Sequence, residues 1–192
     1  VHRKKALSYI EDAFVSEPNT LLFYAGSALA SESNNELVVK LLLRIDYFSI
    51  LFGMSMVIGK KIVIVCEDSY LLGYLSSLVQ IAVGRPKNVV IICLVTKTYV
   101  VGCSQATLFN SVNSVKGILF NIGFLVHDYT QYFKNKTEFK KLVGGLREIS
   151  GPLISTILID DSKLTNIGKI EDNFTEFVNS LGKTNGSNNS KK

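Results

Sequence analysis

The chain reads as an α/β protein in three layers, a doubly wound, mostly parallel sheet with helices on both faces. Three observations predict this. Two runs, Lys61-Ile-Val-Ile-Val-Cys66 and Asn88-Val-Val-Ile-Ile-Cys-Leu-Val95, are continuously apolar and rich in β-branched residues, the pattern of strands buried on both faces. A helical stretch, Leu71 to Val83, lies between them, so strand, helix and strand follow within about 35 residues as a right-handed βαβ unit. Helical and strand patterns alternate with short loops along most of the remaining chain, as in a parallel sheet covered on both sides.

In order along the chain, Ala6, Leu7, Ile10, Ala13 and Phe14 recur at helical spacing over residues 4–15, and Pro18-Asn19 breaks the pattern. Thr20 to Tyr24 reads as a strand ending at Ala25-Gly26-Ser27. Ser31 to Asn35 is a polar loop, and Glu36 to Arg44 is expected to be helical. Tyr47 to Ile58 is a second helix whose only polar interruptions are Ser49 and Ser55. That suits a helix covered by other layers or by a partner chain.

After the first buried strand, helix 71–83 is closed by Gly84, a suitable left-handed C-cap, with Pro86 just beyond. After the second, Thr96 to Thr107 is a polar, glycine-containing loop at the strand's carboxyl end. Leu108 to Phe120 reads as helix, Phe124 to His127 as a short strand and Lys136 to Ile149 as an amphipathic helix. Gly151-Pro152 introduces the strand Leu153 to Ile159, and Ile170 to Leu181 is the last helix. Residues 1–181 are expected to form one domain, and residues 182–192 a disordered polar tail.

Composition narrows the function classes. With 192 residues, 47% hydrophobic and 19% charged, the chain can bury one sizeable core. A mean hydropathy of +0.26 raises the question of a membrane span. The longest apolar run, Tyr47 to Gly59, has 13 residues, whereas a spanning helix needs about 20. No secretory leader is read, because Glu11 and Asp12 follow the basic residues His2 to Lys5 before an apolar segment can form. Three cysteines without Cys-x-x-Cys spacing argue against a disulfide framework and a zinc site. Cytoplasmic localisation is therefore expected, with Asn135-Lys-Thr, Asn173-Phe-Thr and Asn185-Gly-Ser as chance glycosylation matches. Much of the net charge of +5 gathers at the two ends, in Arg3, Lys4, Lys5, Lys183, Lys191 and Lys192, which are expected to be solvated. No basic stripe interleaved with aromatics is present, so neither nucleic acid nor membrane is expected as a partner.

Ligands of open parallel sheets bind outside the carboxyl ends of strands, beside helix N-termini. Two segments meet that description: Glu67-Asp68-Ser69-Tyr70, and Thr96 to Thr107. Asp68 also has a purely structural reading, as a carboxylate favoured by the dipole of helix 71–83. His127 is expected to be a hydrogen-bonded core histidine, and Cys66 and Cys93 buried thiols without a catalytic role. Cys103 has no nearby positive group to make it reactive. No Ser-His-Asp arrangement, P-loop or Gly-x-Gly-x-x-Gly is visible.

The run from Lys61 to Leu78, with Glu67-Asp68-Ser69 at its centre, resembles the segment of thiamine-diphosphate enzymes in which a buried strand ends in Gly-Asp-Gly-Ser and a helix follows. Arg85 to Tyr99, with Gln105 and Thr107 beyond, is similar to the family's next strand, which ends in Asn with Tyr and a Gly-rich Gln-x-Thr loop after it. Gly151-Pro152 and its strand fit the family's end. The separate diphosphate-binding subunits of sulfopyruvate and phosphonopyruvate decarboxylases have about this length. The similarity covers Lys60 to Asp160, about half the chain; Leu42 to Ile45 stand where those relatives carry a Gly-Ser-Met-Gly turn.

The resemblance implies a thiamine diphosphate and Mg²⁺ site. Asp68 keeps the carboxylate ligand, and Thr96 offers a neutral oxygen where the family has Asn, making Asp68 and Thr96 the metal candidates. Ser69 and Tyr99 complete the cofactor-binding set, and no catalytic residue is assigned. An octahedral oxygen shell suits Mg²⁺. Glu67 departs most from the family: a negative charge about 5 Å from a phosphate charge costs roughly 3 kcal/mol at an effective dielectric near 20.

Three functions compete on this reading. The chain is a subunit of a 2-oxoacid decarboxylase, a lyase that needs a partner carrying the pyrimidine-binding domain and its activating Glu. Or it is a non-catalytic structural or regulatory relative that keeps the fold and the assembly surface. Or it is a small flavodoxin-like or receiver-like domain. The uncharged apolar helix 47–58 predicts a homodimer, or a heterotetramer with a pyrimidine-binding subunit, with residues 42–58 in the contact.

Overall fold

A computed structural model describes residues 2–42, 44–67, 88–96, 125–129, 135–149, 151–159 and 173–184. Six strands form one sheet: β1 (Thr20–Ala25), β2 (Val38–Leu41), β3 (Lys61–Glu67), β4 (Val89–Thr96), β5 (Leu125–Tyr129) and β6 (Leu153–Ile159). Their order is β2-β1-β3-β4-β6-β5, and every neighbouring pair is parallel. The described helices are α1 (Arg3–Phe14), α2 (Ser27–Ala30), α3 (Ile45–Ser55), α4 (Lys136–Glu148) and α5 (Phe174–Thr184). The chain is thus an α/β protein with an all-parallel sheet. The strands read at residues 61–66, 88–95 and 153–159, here β3, β4 and β6, are consecutive neighbours.

Strand side chains alternate between two apolar layers, so a strand covered on both faces shows no polar alternation in sequence. Ile62, Ile64 and Cys66 of β3 point to one face with Ile91 of β4, where Phe48, Leu51 and Phe52 of α3 and Phe174 of α5 cover them. Val63 and Val65 point to the other, against Leu7, Ile10 and Phe14 of α1 and Phe139, Val143 and Leu146 of α4. Between β1 and β2 the chain passes α2, whose Leu29 packs in the α1 layer; between β5 and β6 it passes α4, in the same layer. From β2 to β3 the chain moves the opposite way along the sheet, and α3 lies on the opposite face. Opposite directions on opposite faces are what a single crossover hand demands.

One expected element is overturned. The stretch from Glu36 to Arg44 is not helical: Val38–Leu41 is strand β2, paired with β1 from Leu22↔Val38 to Ala25↔Leu41. The adjacent Val38 and Val39 favour extended backbone, and pairing with β1 holds them there, while the Val38 amide donates to the Asn35 carbonyl at 3.2 Å. Other boundaries shift by a few residues. Helix α3 begins two residues before the expected start and ends three before the expected end, because residues 56–58 form a turn that reaches Gly59 at φ 64°. Helix α5 begins after Asn173, whose amide donates to the Lys40 carbonyl and whose Oδ1 accepts from the Lys40 amide at 2.8 Å. That pairing covers the outer edge of β2, which would otherwise present free ladder groups. The helix runs on to Thr184, so residues 182–184 of the expected tail are helical. The expected helices 71–83 and 108–120, loop residues 97–107 and tail residues 185–192 lie outside the described residues.

Helix α4 starts at Asn135, whose Oδ1 accepts from the Glu138 amide at 2.9 Å, so the Asn135-Lys-Thr triplet is an N-cap. Among the described residues, no helix is long and apolar enough to cross a membrane.

Candidate functional site

The chain leaves β1 toward β2 and β3 toward β4, in opposite directions, so a topological switch lies between β1 and β3. At its carboxyl edge Ala25 is in register with Cys66, the residue before Glu67. Gly26 follows at φ +111°, a conformation that residues with a Cβ rarely adopt, and its amide donates to the Leu41 carbonyl at 3.0 Å. The Ala25-Gly26-Ser27 turn, legible only as a strand end, thus brings a bare backbone corner beside the end of β3.

Across β3, the register Cys66↔Cys93 and Glu67↔Leu94 makes β4 continue two residues past Leu94, to Thr96. Thr96 pairs in turn with Ile159 at the end of β6. Glu67 and Thr96 are therefore the last residues of neighbouring parallel strands in the middle of the sheet. Asp68, Ser69 and Tyr99 lie outside the described residues, as does Cys103. His127 is on β5 in register with Ser155 of β6. Cys66 and Cys93 are buried. Among the described residues, no three His, Cys, Asp or Glu side chains gather as a metal site.

A second polar group, which sequence reasoning missed, is built where α1 meets the end of β1. Arg3, expected to be solvated, is instead 3% exposed. Its Nε and Nη2 donate to Glu32 Oε1 at 3.0 and 2.7 Å. Lys4 and Lys5 beside it are exposed as expected. The Tyr24 hydroxyl, fully buried, donates to Glu11 Oε1 at 3.0 Å, and Ser33 Oγ donates to the same oxygen at 2.8 Å. Burial pushes the Tyr24 hydroxyl well above its ordinary pKa, and the adjacent Glu11 carboxylate raises it further. These contacts pin the 31–35 loop and α1 onto the sheet. Nothing local in the sequence marks them, because Arg3 and Glu32 are 29 residues apart.

Two further charged groups are placed by helix ends. Lys61 Nζ donates to the Arg147 carbonyl, among the last turn's free acceptors in α4; burial lowers its pKa, partly opposed by Glu148 and Glu17. Arg44 is bidentate to Asp46 at 3.0 and 2.6 Å on the surface and holds that carboxyl below its usual range. Exposed pairs of this kind contribute little stability. No protein-family model and no curated protein sequence matches the chain.

Proposed function

We propose that the chain is a diphosphate-binding-type subunit of a thiamine-diphosphate-dependent 2-oxoacid decarboxylase, with its cofactor edge at the carboxyl ends of β3 and β4. One observation carries this reading. β3 and β4 are central parallel neighbours that end at one edge, and the residues resembling the family's motif follow directly on both. Asp68 follows Glu67 in the sequence, and Thr96 is the last residue of β4. Asp68 and Thr96 would supply a carboxylate and a hydroxyl oxygen, donors that suit a hard cation such as Mg²⁺. Bound there, the cofactor supplies the carbanion chemistry, and the chain's residues hold and orient its diphosphate. The reading includes a pyrimidine-binding partner, because in the family that this chain resembles the activating Glu belongs to the pyrimidine-binding domain.

Glu67 favours the second reading, a relative that keeps the fold without the cofactor, because it puts a carboxylate-bearing residue at the end of β3. The flavodoxin-like reading has less support. In such sheets the fifth strand lies directly beside the fourth, whereas here β6 stands between β4 and β5.

Partner contact through residues 42–58 belongs to the same proposal. Phe48, Leu51 and Phe52 are core, but Leu42, Ile50 and Met56 are about two-fifths exposed and Val57 is 80% exposed.

Thermal-shift titration with thiamine diphosphate and Mg²⁺ tests the cofactor reading. Ligand at about 100 times its Kd adds about 2.7 kcal/mol, or roughly 5–11 °C in a domain of this size. The rise should require both ligands, vanish in Asp68→Ala and grow in Glu67→Gly. A rise only in Glu67→Gly would mark a relict site; no rise in either protein rejects the cofactor. Equal weakening by both substitutions would make Glu67 a ligand.

A further inference from the structure

Read singly in the sequence, Cys66 and Cys93 are inert core residues. The sheet makes them a pair. They face each other in register across β3 and β4, on the face covered by α3 and α5. Their sulfurs are 3.9 Å apart, with Cys66 0% and Cys93 2% exposed. The Cys66 sulfur also lies 3.7 Å from the Ile92 carbonyl oxygen. A disulfide needs an S–S distance of about 2.05 Å and a Cα separation of about 4.4–6.8 Å. Neighbouring strands run about 4.8 Å apart, so the backbone spacing already suits a bond. Bond formation requires the sulfurs to close from 3.9 Å to about 2.05 Å.

We infer that Cys66 and Cys93 are an oxidation site, a cross-strand thiol pair that hydrogen peroxide converts to a disulfide joining β3 to β4. Burial selects the oxidant: cysteines 0% and 2% exposed exclude a bulky charged molecule such as oxidised glutathione, which leaves a small uncharged one. In the first step one sulfur displaces water from the peroxide and becomes a sulfenic acid. The second sulfur then attacks the first, the S–O bond breaks, and a second water leaves with the remaining thiol proton. Two thiols and one peroxide give one disulfide and two waters; the sulfurs together lose two electrons and the peroxide oxygens gain them. Because the second thiol is held alongside, the sulfenic acid is consumed before it advances to irreversible sulfinic acid. The bond would staple the two central strands just below the points where the chain leaves them after Glu67 and Thr96. The site does not rest on the cofactor reading.

The test uses the full chain, reduced, desalted and exposed to hydrogen peroxide at neutral pH without denaturant. Free thiols are then alkylated in denaturant and the chain is weighed and peptide-mapped. The expected result is loss of the mass of two hydrogens, a linked Cys66–Cys93 peptide, and full reversal by dithiothreitol, all retained in Cys103→Ser. In Cys93→Ala, denaturant containing dimedone, added after the peroxide is removed, should capture a sulfenic acid at Cys66. The inference is overturned if both cysteines remain fully alkylatable after peroxide has oxidised an added cysteine peptide. It is equally overturned if either goes to sulfinic acid unlinked, pairs with Cys103 instead, or links to the other only in denaturant. These readouts are taken on the unsubstituted pair, so they decide the matter even where Cys93→Ala does not fold.

Discussion

Replacing Arg3 by Met tests how the first turn of α1 is held. The guanidinium is 3% exposed, and its Nε and Nη2 both donate to one Glu32 oxygen, at 3.0 and 2.7 Å. The other oxygen, Oε2, is buried with no hydrogen-bond partner among the described residues, so the carboxylate depends on Arg3 for compensation. Breaking one side of a buried pair costs about 3–5 kcal/mol. The Glu32 side chain retains 14% exposure, which places the expected loss near the lower end, about 3 kcal/mol. At roughly 2–4 °C per kcal/mol for a chain of this size, Tm should fall by about 6–12 °C. Glu32→Leu alone should cost a similar amount. The double substitution removes both charges from the apolar surroundings and should cost about 1 kcal/mol or less, because well-packed apolar replacements of buried pairs are often neutral. Urea unfolding followed by far-UV circular dichroism on all four proteins gives the coupling. Two results would refute the reasoning: Arg3→Met within about 1 kcal/mol of the parent, or a double variant as unstable as the sum of the singles.

Tyr24→Phe should flatten the stability profile in alkali. The folded-state pKa of Tyr24 lies above its ordinary value of 10.0. Its contribution is therefore fully present below that value and is lost as pH rises above it, while the unfolded chain ionises and the folded one does not. Unfolding free energies at pH 9 and pH 11 should diverge less in Tyr24→Phe than in the parent, and an unchanged difference would dismiss the role of burial. On α3, Phe48→Ala should destabilise by about 3–5 kcal/mol, and Phe52→Lys should unfold the chain, since Phe52 is only 6% exposed. Val57→Lys should leave stability within about 0.5 kcal/mol and, in light scattering, dissociate any oligomer formed through residues 42–58; an oligomer unchanged by it would move the contact elsewhere. Asn135→Ala should cost about 1 kcal/mol through loss of the α4 N-cap, measured by the same urea titration.

Most of the sheet is legible in the sequence because burial on both faces leaves a signal within each segment. The β-branched runs of β3 and β4 and the Gly-Pro entry to β6 need no information from elsewhere in the chain. Helices α1 and α4 are legible for the same reason, since the periodic apolar residues Leu7, Ile10 and Phe14, and Phe139, Val143 and Leu146, are the ones that face the core. Strand β2 escapes such a reading because four residues are too few to show a period, and its state is decided by β1 beside it. Of the candidate site, the positions of Glu67 and Thr96 at strand ends are readable, whereas their adjacency requires the strand order.

The sequence alone therefore determined the class of fold and the identity of the central strands, because each depends on local pattern and on general rules of parallel sheets. Tertiary structure decided the rest. Only the register of β3 and β4 sets Cys66 against Cys93, only the packing of α1 on β1 turns Arg3 from a surface cation into a buried one, and only the return of α5 to β2 covers that strand's edge. Each of these is a contact between segments far apart in the chain, whose partners are chosen by complementary shape and charge after the elements have formed.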